Sequence, residues 1–351
     1  MFQVLACLQL LVAAGTEATI AIPLAFLGLT VLMWLYYAAL RATRCVGFEM
    51  ETIAFFLSTL SLSITASSAQ SSLFKQFLAI LLGLALFLVL GLFLRDLSRV
   101  QKNLTLFIVL TGVCIGLLGL MSDFGTAAIF FVTFLVIAYM RSGDFATLSL
   151  ICGGAVFGAG IILKFKPYIL SRFASWGHAW EAASTTGYQQ TRTMSAAASG
   201  GLLGMGAGNG WLHNVAAADT DLVFGMLCEE WGLLIAVLAV GAIITLAFFA
   251  ARACRVGRSS FYTIAACAAS SLLVFQTCLN VFGSVDLLPL TGVTFPFVSN
   301  GGSAMMSAWG LLAYLKATDT RENASFAIAR KHQRRLTQAA RRRAEPIGDP
   351  F

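Results

Sequence analysis

Four carboxylate residues lie close together in a chain that is otherwise poor in acidic residues. Asp219, Asp221, Glu229 and Glu230 fall within twelve positions, although the 351 residues include only 16 acidic ones. Carboxylates can act as general bases, hold metal ions or bind polar ligands. One aspartate could instead cap the helix expected from Leu222, because acidic groups favour a helix N-terminus. Capping does not explain both aspartates, nor two glutamates about two turns inside an apolar run.

The composition places this cluster in a membrane protein. The chain is 58% hydrophobic and 11% charged, and its mean hydropathy is +0.84, outside the range of soluble globular domains. Eight scattered cysteines lack CxxC spacing and three histidines lie far apart, so neither a disulfide framework nor a local zinc motif is predicted. The net charge of +7 lies largely in loops and the tail. The positive charge is therefore interpreted as a signal of membrane topology. A nucleic-acid partner is not expected.

Ten apolar runs could cross the roughly 30 Å hydrocarbon core of a bilayer, although several of them are short. The sequence therefore predicts an all-α polytopic membrane protein with about ten transmembrane helices. The runs are Phe2–Gly15, Ile20–Leu40, Thr52–Ser67, Phe74–Leu94, Leu104–Leu120, Thr126–Met140, Leu148–Leu163, Leu222–Ala250, Phe261–Phe282 and Ser299–Leu315.

The basic residues predict the orientation of these helices, because Lys and Arg favour cytoplasmic loops. If ten spans alternate, the basic residues at span ends, such as Arg41 and Arg141, fall on the same side as the tail. We therefore expect both termini to be cytoplasmic. Residues 1–317 would form one transmembrane domain, with 164–221 as a long Gly-rich extracytoplasmic loop. The basic tail, 318–351, would lie on anionic lipid headgroups.

The long loop contains two features that could serve a ligand site. The segment GLLGMGAGNG, residues 201–210, is too short to span and too Gly-rich for a stable helix, so we expect a re-entrant or interfacial segment buried against protein. Lys164, Lys166, Arg172 and Arg192 lie in the same loop. These cations could meet an anionic ligand or could be solvated.

Polar residues interrupt the chain at four places that this topology puts outside the membrane. They are residues 122–126, 188–201, 219–230 and 289–303. Their convergence at the outer leaflet would suit a lipid-linked substrate. Glu230 would lie roughly 13 Å below the start of its helix, where a carboxylate costs several kcal/mol and usually marks function. The same features would also suit a transporter.

The motifs at these places, in this order, resemble those of the SEDS family (shape, elongation, division and sporulation). The resemblance runs from Asp123 to Leu315. It implies a peptidoglycan glycosyltransferase that polymerises lipid II at the outer face of the bacterial cytoplasmic membrane, in elongation, division or sporulation. It also implies a class B penicillin-binding protein as partner. The matching segments are DFGTA, GYQ, SGGLLGMGAGN, TDLVFGMLCEEWG and LLPLTGVTFPFVSNGGS.

The resemblance also assigns roles to single residues. The catalytic aspartate of the family's His-Thr-Asp-Phe pattern falls on Asp221, and the second Glu of its Glu-Glu-x-Gly pattern falls on Glu230. The loop Gln falls on Gln189 and the acid of Pro-Asp-Leu-Gly-Thr on Asp123. The Pro-Phe-x-Ser-Tyr-Gly-Gly pattern falls on Pro296, Phe297, Ser299, Gly301 and Gly302.

Several positions depart from the family pattern. Asp219 replaces His and Asn300 replaces Tyr, while Leu222 stands for Phe and Met121-Ser122 for Gln-Pro. A further family pattern, Gln-Pro-Ser-Glu-x-x-Lys, has one candidate at the expected place in this chain, the segment 70–76, QSSLFKQ. This segment has Leu73 for the Glu and places Lys75 one position early. A carboxylate expected from the family is therefore absent.

The hypothesis for the chemistry is that Asp221 removes the proton of the acceptor sugar's 4-hydroxyl as this oxygen attacks the donor. The leaving pyrophosphate needs cations, for which Lys75, Lys164, Lys166, Arg172 and Arg192 are candidates. A divalent cation such as Mg²⁺ or Mn²⁺, held by Asp219 and Glu230, could serve instead. Two alternatives stay open, a lipid-precursor flippase and a non-catalytic cell-wall scaffold.

Overall fold

The computed structural model describes residues 1–15, 19–42, 47–94, 124–165, 173, 175–255 and 260–319. The long regular elements in these ranges are α-helices, which confirms the all-α class. The helices are α1 Phe2–Ala14, α2 Ala21–Ala42, α3 Glu49–Ser68, α4 Leu73–Leu94, α5 Phe124–Ser142, α6 Phe145–Phe165, α7 Tyr188–Gly200, α8 Val223–Arg255, α9 Ser260–Ser284 and α10 Gly302–Ala317. A separate one-turn helix, Ala218–Asp221, is called the acid turn below.

Six helical segments within the described ranges are long and apolar enough to cross a membrane, so the chain is a multi-pass membrane protein. Two shorter apolar helices are Phe2–Ala14 and Leu148–Phe157. The predicted span Leu104–Leu120 lies outside the described residues, and the total of ten spans stays a prediction. The six long segments are Ala21–Ala42, Glu49–Ser68, Gln70–Gly91, Gly125–Ser142, Val223–Arg252 and Ser260–Ser284.

Helix α3 lies at the centre of the bundle, where α1, α2, α4 and α8 pack around it. Its buried residues include small hydroxyl side chains, which allow neighbouring helices to approach closely. These hydroxyls need no outside partner, because Thr59, Ser63 and Thr65 donate to the carbonyl four residues earlier, at 2.8 to 3.1 Å. A helix that carries this many polar atoms can therefore stay buried on nearly every side.

Helix α10 packs along α4, and this contact places the start of α10 beside the start of α4. Trp309 is fully buried between the two helices, within 5.4 to 5.9 Å of the rings of Phe55, Phe87 and Phe297. Gly83 makes the space for it, because an added Cβ there would come within 2.7 Å of the Trp309 ring. The aromatic cluster thus fixes the helix that follows the polar segment 289–303.

Helix α8 is broken at Gly232, whose φ of 82° and ψ of 164° interrupt the helical hydrogen bonding. The freed carbonyl oxygens of Glu229 and Glu230 accept hydrogen bonds from the N–H groups of Met205 and Gly206, at 2.8 and 3.0 Å. The N–H of Leu233 donates to the Gly201 carbonyl, at 3.0 Å. The loop after α7 therefore lies along a membrane-spanning helix with part of its backbone paired, while Leu203 in this loop is 82% exposed. The re-entrant or interfacial placement of segment 201–210 stays a prediction.

The opposite end of the bundle is held by a buried ion pair. Lys316 near the end of α10 contacts Glu51 in the first turn of α3 at 3.0 Å, and neither side chain is exposed. Lys316 also donates to the Gly47 carbonyl, and Tyr36 donates to Glu51 at 3.1 Å. Arg41 lies in the last turn of α2 at this same end. Which end faces the cytoplasm stays a prediction.

Candidate functional site

The acid turn begins after Ala217, whose left-handed φ of 59° turns the chain sharply before α8. Ala218 is buried beneath it, whereas Asp219 and Asp221 are half-buried. Both carboxylates therefore remain accessible from one side. This position, outside the first turn of α8, differs from the helix cap that composition alone would favour.

The acid turn is tied to the segment 285–301, called the return loop, which joins α9 to α10. The Asn300 side chain donates from Nδ2 to Asp219 Oδ2 at 2.7 Å, and its backbone N–H donates to the Asp219 carbonyl at 2.8 Å. Ser299 donates from Oγ to the Thr220 carbonyl at 2.6 Å and accepts the Phe295 N–H at 2.7 Å. Sequence-predicted residues Asp219 and Ser299 are thus brought together.

Asp221 faces the return loop at Gly292. A Cβ added to Gly292 would lie 3.1 Å from Asp221 Oδ2, and Gly292 itself is exposed with a φ of 70°. Asn280 of α9 bridges the two segments by donating from Nδ2 to the Asp221 carbonyl at 2.9 Å and to the Val293 carbonyl at 2.7 Å. Sequence reasoning missed Asn280, although a lone Asn inside an apolar span was a usable signal.

A groove of about 640 Å³ opens beside Gly292 and runs between α5, α9 and α10. The polar residues at its mouth include Gln276 and Thr294, which are joined by a hydrogen bond of 2.9 Å. Deeper positions are mostly apolar. The site therefore combines a half-buried carboxylate with an adjacent apolar channel lined by Leu90, Ile129, Phe130, Leu272, Leu311 and Tyr314.

The two glutamates of α8 are almost completely buried and hold the loop after α7. Glu229 accepts the N–H groups of Trp211 and Leu212 at 2.8 and 2.9 Å. Glu230 accepts the Gly208 N–H at 3.0 Å through Oε2, while its Oε1 has no hydrogen-bond partner among the described residues. The structure therefore gives both carboxylates backbone partners. A substrate contact of Glu230 stays a prediction.

Gln189, in the first turn of α7, and Asp286, in the return loop, order the surface near the acid turn. Gln189 donates from Nε2 to the Ala216 carbonyl at 2.9 Å, just before the acid turn. Asp286 accepts the N–H groups of Gly177 and Ala179, each at 3.1 Å, and the amide of Gln190 at 3.2 Å. No prediction for Asp286 follows from the sequence, because its partners lie more than 90 residues away.

In segment 70–76 the buried polar side chain is that of Gln76 and not that of Lys75, the residue predicted to correspond to the family's Lys. Lys75 is exposed, whereas Gln76 is 1% exposed. Counting from Gln70 puts Leu73 at the family's Glu position and Gln76 at its Lys position. Leu73 is fully buried, so both charged positions of the pattern hold neutral, buried side chains.

Asp123 and three of the four candidate cations in the long loop have side chains outside the described part of the chain. Asp123, Lys166 and Arg172 fall outside the described residues, as does the side chain of Lys164. Arg192 is exposed, and its guanidinium lies 5.2 Å from the ring centre of Tyr188 and 5.7 Å from that of Trp211.

The segment that follows Asp123 nevertheless reaches the site. An added Cβ at Gly125 would come within 2.9 Å of the Thr291 carbonyl oxygen, so the start of α5 packs against the return loop. All four polar places predicted from sequence therefore meet the return loop or the acid turn at one end of the bundle, the segment 188–201 through the hydrogen bond from Gln190 to Asp286.

The described carboxylates do not converge on one point. Within the described ranges, no three His, Cys, Asp or Glu side chains come together in a way that could hold a metal ion. Asp219 accepts a hydrogen bond from Asn300, and Glu230 accepts one from the Gly208 N–H through Oε2. A divalent cation held by Asp219 and Glu230 stays a prediction.

The fold and site define a polytopic membrane protein with an acidic polar centre at one end of its helices. Residues 95–323 match the model of the cell cycle protein family of FtsW, RodA and SpoVE, so the chain belongs to this family. This finding confirms the SEDS resemblance.

Curated relatives carry names from the same family. The chain is 31% identical over 207 residues to the peptidoglycan glycosyltransferase RodA of Mycobacterium tuberculosis, covering 58% of this chain and 43% of that protein. It is 32% identical over 223 residues to the probable peptidoglycan glycosyltransferase FtsW of Coxiella burnetii, covering 60% and 58%. The chain thus spans about half the length of the curated relatives it matches.

A solved structure supports the fold. A chain from work on the structural coordination of polymerization and crosslinking by a peptidoglycan synthase complex aligns with a TM-score of 0.51. The alignment covers 92% of this chain and 95% of that chain, at 20% sequence identity. At this identity the likeness shows a shared fold.

Proposed function

We propose that this protein is a peptidoglycan glycosyltransferase that polymerises lipid II at the outer face of the bacterial cytoplasmic membrane. The observation that carries this proposal is the half-buried carboxylate of Asp221, which faces the exposed Gly292 at the mouth of an apolar groove. A sugar acceptor needs a base, and a lipid-linked donor needs an apolar channel beside that base. The curated names of the relatives support the same class of reaction.

In the proposed reaction Asp221 takes the proton of the acceptor sugar's 4-hydroxyl. The acceptor oxygen forms a bond to the anomeric carbon of the donor, and the bond from that carbon to the pyrophosphate oxygen breaks. The electron pair of the broken bond leaves with the lipid pyrophosphate. A positioned base of this kind supplies about 10² to 10⁴-fold in rate.

Other residues of the chain would bind and orient the substrates. The groove beside Gly292 would hold a polyprenyl chain, because its deeper walls are mostly apolar. Exposed cations near the site, Arg192 and Lys75 among them, would meet the pyrophosphate. The proposed substrate-binding set is completed by Asp123, Gln189, Asp219, Glu230, Ser299, Gly301, Gly302, Lys164 and Arg172.

The proposed topology puts the acid turn outside the membrane and both termini in the cytoplasm. Residues 1–317 would form the transmembrane domain, with 164–221 outside, and 318–351 would be a basic tail on the inner headgroups. A class B penicillin-binding protein would be the partner that crosslinks the glycan product.

The test is polymerisation of purified lipid II by the purified full chain, alone and with its class B partner. We expect glycan strands that grow with time, and that lysozyme degrades. A folded chain that produces no glycan under either condition would contradict the proposal. Movement of lipid II across vesicle membranes without polymerisation would instead identify a flippase. A folded chain that shows neither polymerisation nor lipid II movement would favour the scaffold alternative.

A further inference from the structure

Gln76 is a buried polar residue that has no part in the reaction proposed above. It lies in the first turn of α4 and is 1% exposed. Buried amides are costly unless both of their ends are hydrogen-bonded. The partners of this side chain therefore indicate why an amide occupies the position.

Both ends of the Gln76 amide bind backbone of the return loop. Nε2 donates to the Ser299 carbonyl at 3.2 Å, and Oε1 accepts the Gly301 N–H at 3.1 Å. Nε2 also donates to Ser61 Oγ of α3 at 2.8 Å. One side chain thus joins α3, α4 and the return loop.

The Ser299 carbonyl and the Gly301 N–H, which Gln76 binds, lie on either side of Asn300. Ser299 and Asn300 contact the acid turn. Ser299 donates to the Thr220 carbonyl, and Asn300 binds Asp219 through both its side chain and its backbone N–H. A continuous series of hydrogen bonds therefore leads from α4 to the residues on either side of Asp221. A side chain with only donors or only acceptors at position 76 would leave one end of the series open.

We propose that Gln76 is a positioning residue that fixes the return loop, and through Ser299 and Asn300 sets the place of the acid turn. The catalytic part of this inference rests on the proposed function. A displacement of about 1 Å at a catalytic group is enough to lower a rate by about 10²-fold. Loss of the Gln76 hydrogen bonds should therefore lower kcat more than it changes KM.

The chain offers a matched control for this experiment in a second buried glutamine. Gln3 of α1 donates to Thr59 of α3 at 3.1 Å and accepts from Thr30 of α2 at 2.8 Å. Neither partner lies in the acid turn or in the return loop. Gln76→Met and Gln3→Met each remove the hydrogen bonds of a buried amide while they keep an unbranched side chain of similar length. Both variants should lower thermal stability.

Only Gln76→Met should lower kcat for lipid II polymerisation, by about 10²-fold, with KM little changed. Only this variant should also speed hydrogen–deuterium exchange in residues 299–302 and 218–222. If Gln76→Met does not fold, Gln76→Asn, which shortens the side chain by one carbon, should show the same direction of change in both readouts.

Two outcomes would overturn the inference. One is a folded position-76 variant whose kcat equals that of Gln3→Met, and the other is unchanged exchange in the acid turn. A parent chain without polymerase activity would refute the proposed function separately. Exchange in residues 218–222 would then decide by itself whether Gln76 positions the acid turn.

Discussion

Two of the residues that depart from the family pattern contact each other. Asp219 stands where the family has His and Asn300 where it has Tyr, and their side chains are joined by a 2.7 Å hydrogen bond. The departures are therefore a pair of polar residues that makes a contact between the acid turn and the return loop. Sequence alone showed two unrelated changes, because the residues lie 81 positions apart.

The pairing predicts an energetic coupling between these residues. Asp219→Ala and Asn300→Ala should each lower the free energy of unfolding, measured in mixed micelles. Each change breaks the same hydrogen bond. The loss of unfolding free energy in the double variant should therefore be smaller than the sum of the two single losses by about 1 kcal/mol. Strictly additive losses would show that the two side chains do not act together.

At the scale of single residues the sequence predicted which segments come together better than which atoms make the contacts. Motif order indicated that the segments of Asp219, Asp221 and Ser299 converge, and in the structure these residues lie at one end of the bundle. Their roles in a reaction stay predictions. Gln76 and Asn280 were missed, since each acts through backbone groups that are distant in sequence. At the end of segment 70–76, residue type favours Lys75 as the family's Lys, whereas exact spacing from Gln70 favours Gln76.

At the scale of elements, apolar runs predicted most helix bounds within a few residues. The run Thr52–Ser67 corresponds to Glu49–Ser68 and the run Phe261–Phe282 to Ser260–Ser284. The break at Gly232 is not predicted by the sequence, because a single Gly inside a helical run is usually tolerated, even directly after Glu229 and Glu230. It becomes intelligible only with the loop 201–206, whose N–H groups pair with the freed carbonyls.

The break at Gly232 should tolerate no side chain. Gly232→Ala would place a Cβ against the backbone of Leu202 and Leu203 at a φ of 82°, so we expect a loss of several kcal/mol in unfolding free energy. Gly241, in the same helix, has no atom near its Cβ position among the described residues. Gly241→Ala should therefore be as stable as the parent or slightly more stable, by up to about 1 kcal/mol. Equal stability of the two variants would contradict the role of the break.

At the scale of the whole molecule the two ends of the bundle hold different kinds of polar group. One end gathers the acid turn, the return loop and Gln76, whereas the other contains the buried Lys316–Glu51 pair. The helices α3 and α10 reach both ends. This separation predicts that stability and chemistry can be changed independently.

Removal of one partner of the buried pair should cost stability and leave the site intact. Lys316→Met removes the cation that lies 3.0 Å from the buried Glu51, which costs about 3 to 5 kcal/mol of unfolding free energy. Adding Glu51→Gln should restore part of this loss, since the buried charge at position 51 is then removed, whereas Asp319, 3.7 Å from Lys316, loses this contact in both variants. The folded fraction should polymerise lipid II at the parent rate. A large fall in rate per folded molecule would show that the two ends are coupled.

The central claim is that the Asp221 carboxylate is the base for glycan polymerisation. The most direct test compares Asp221→Asn with Asp144→Asn, a matched change at a surface carboxylate that accepts the Ala146 N–H at 2.9 Å and that Asn can replace. Both variants should fold, because both substitutions keep shape and polarity. We expect lipid II polymerisation to fall by about 10² to 10⁴-fold in Asp221→Asn and to be unchanged in Asp144→Asn. Parent-level polymerisation by folded Asp221→Asn would contradict it.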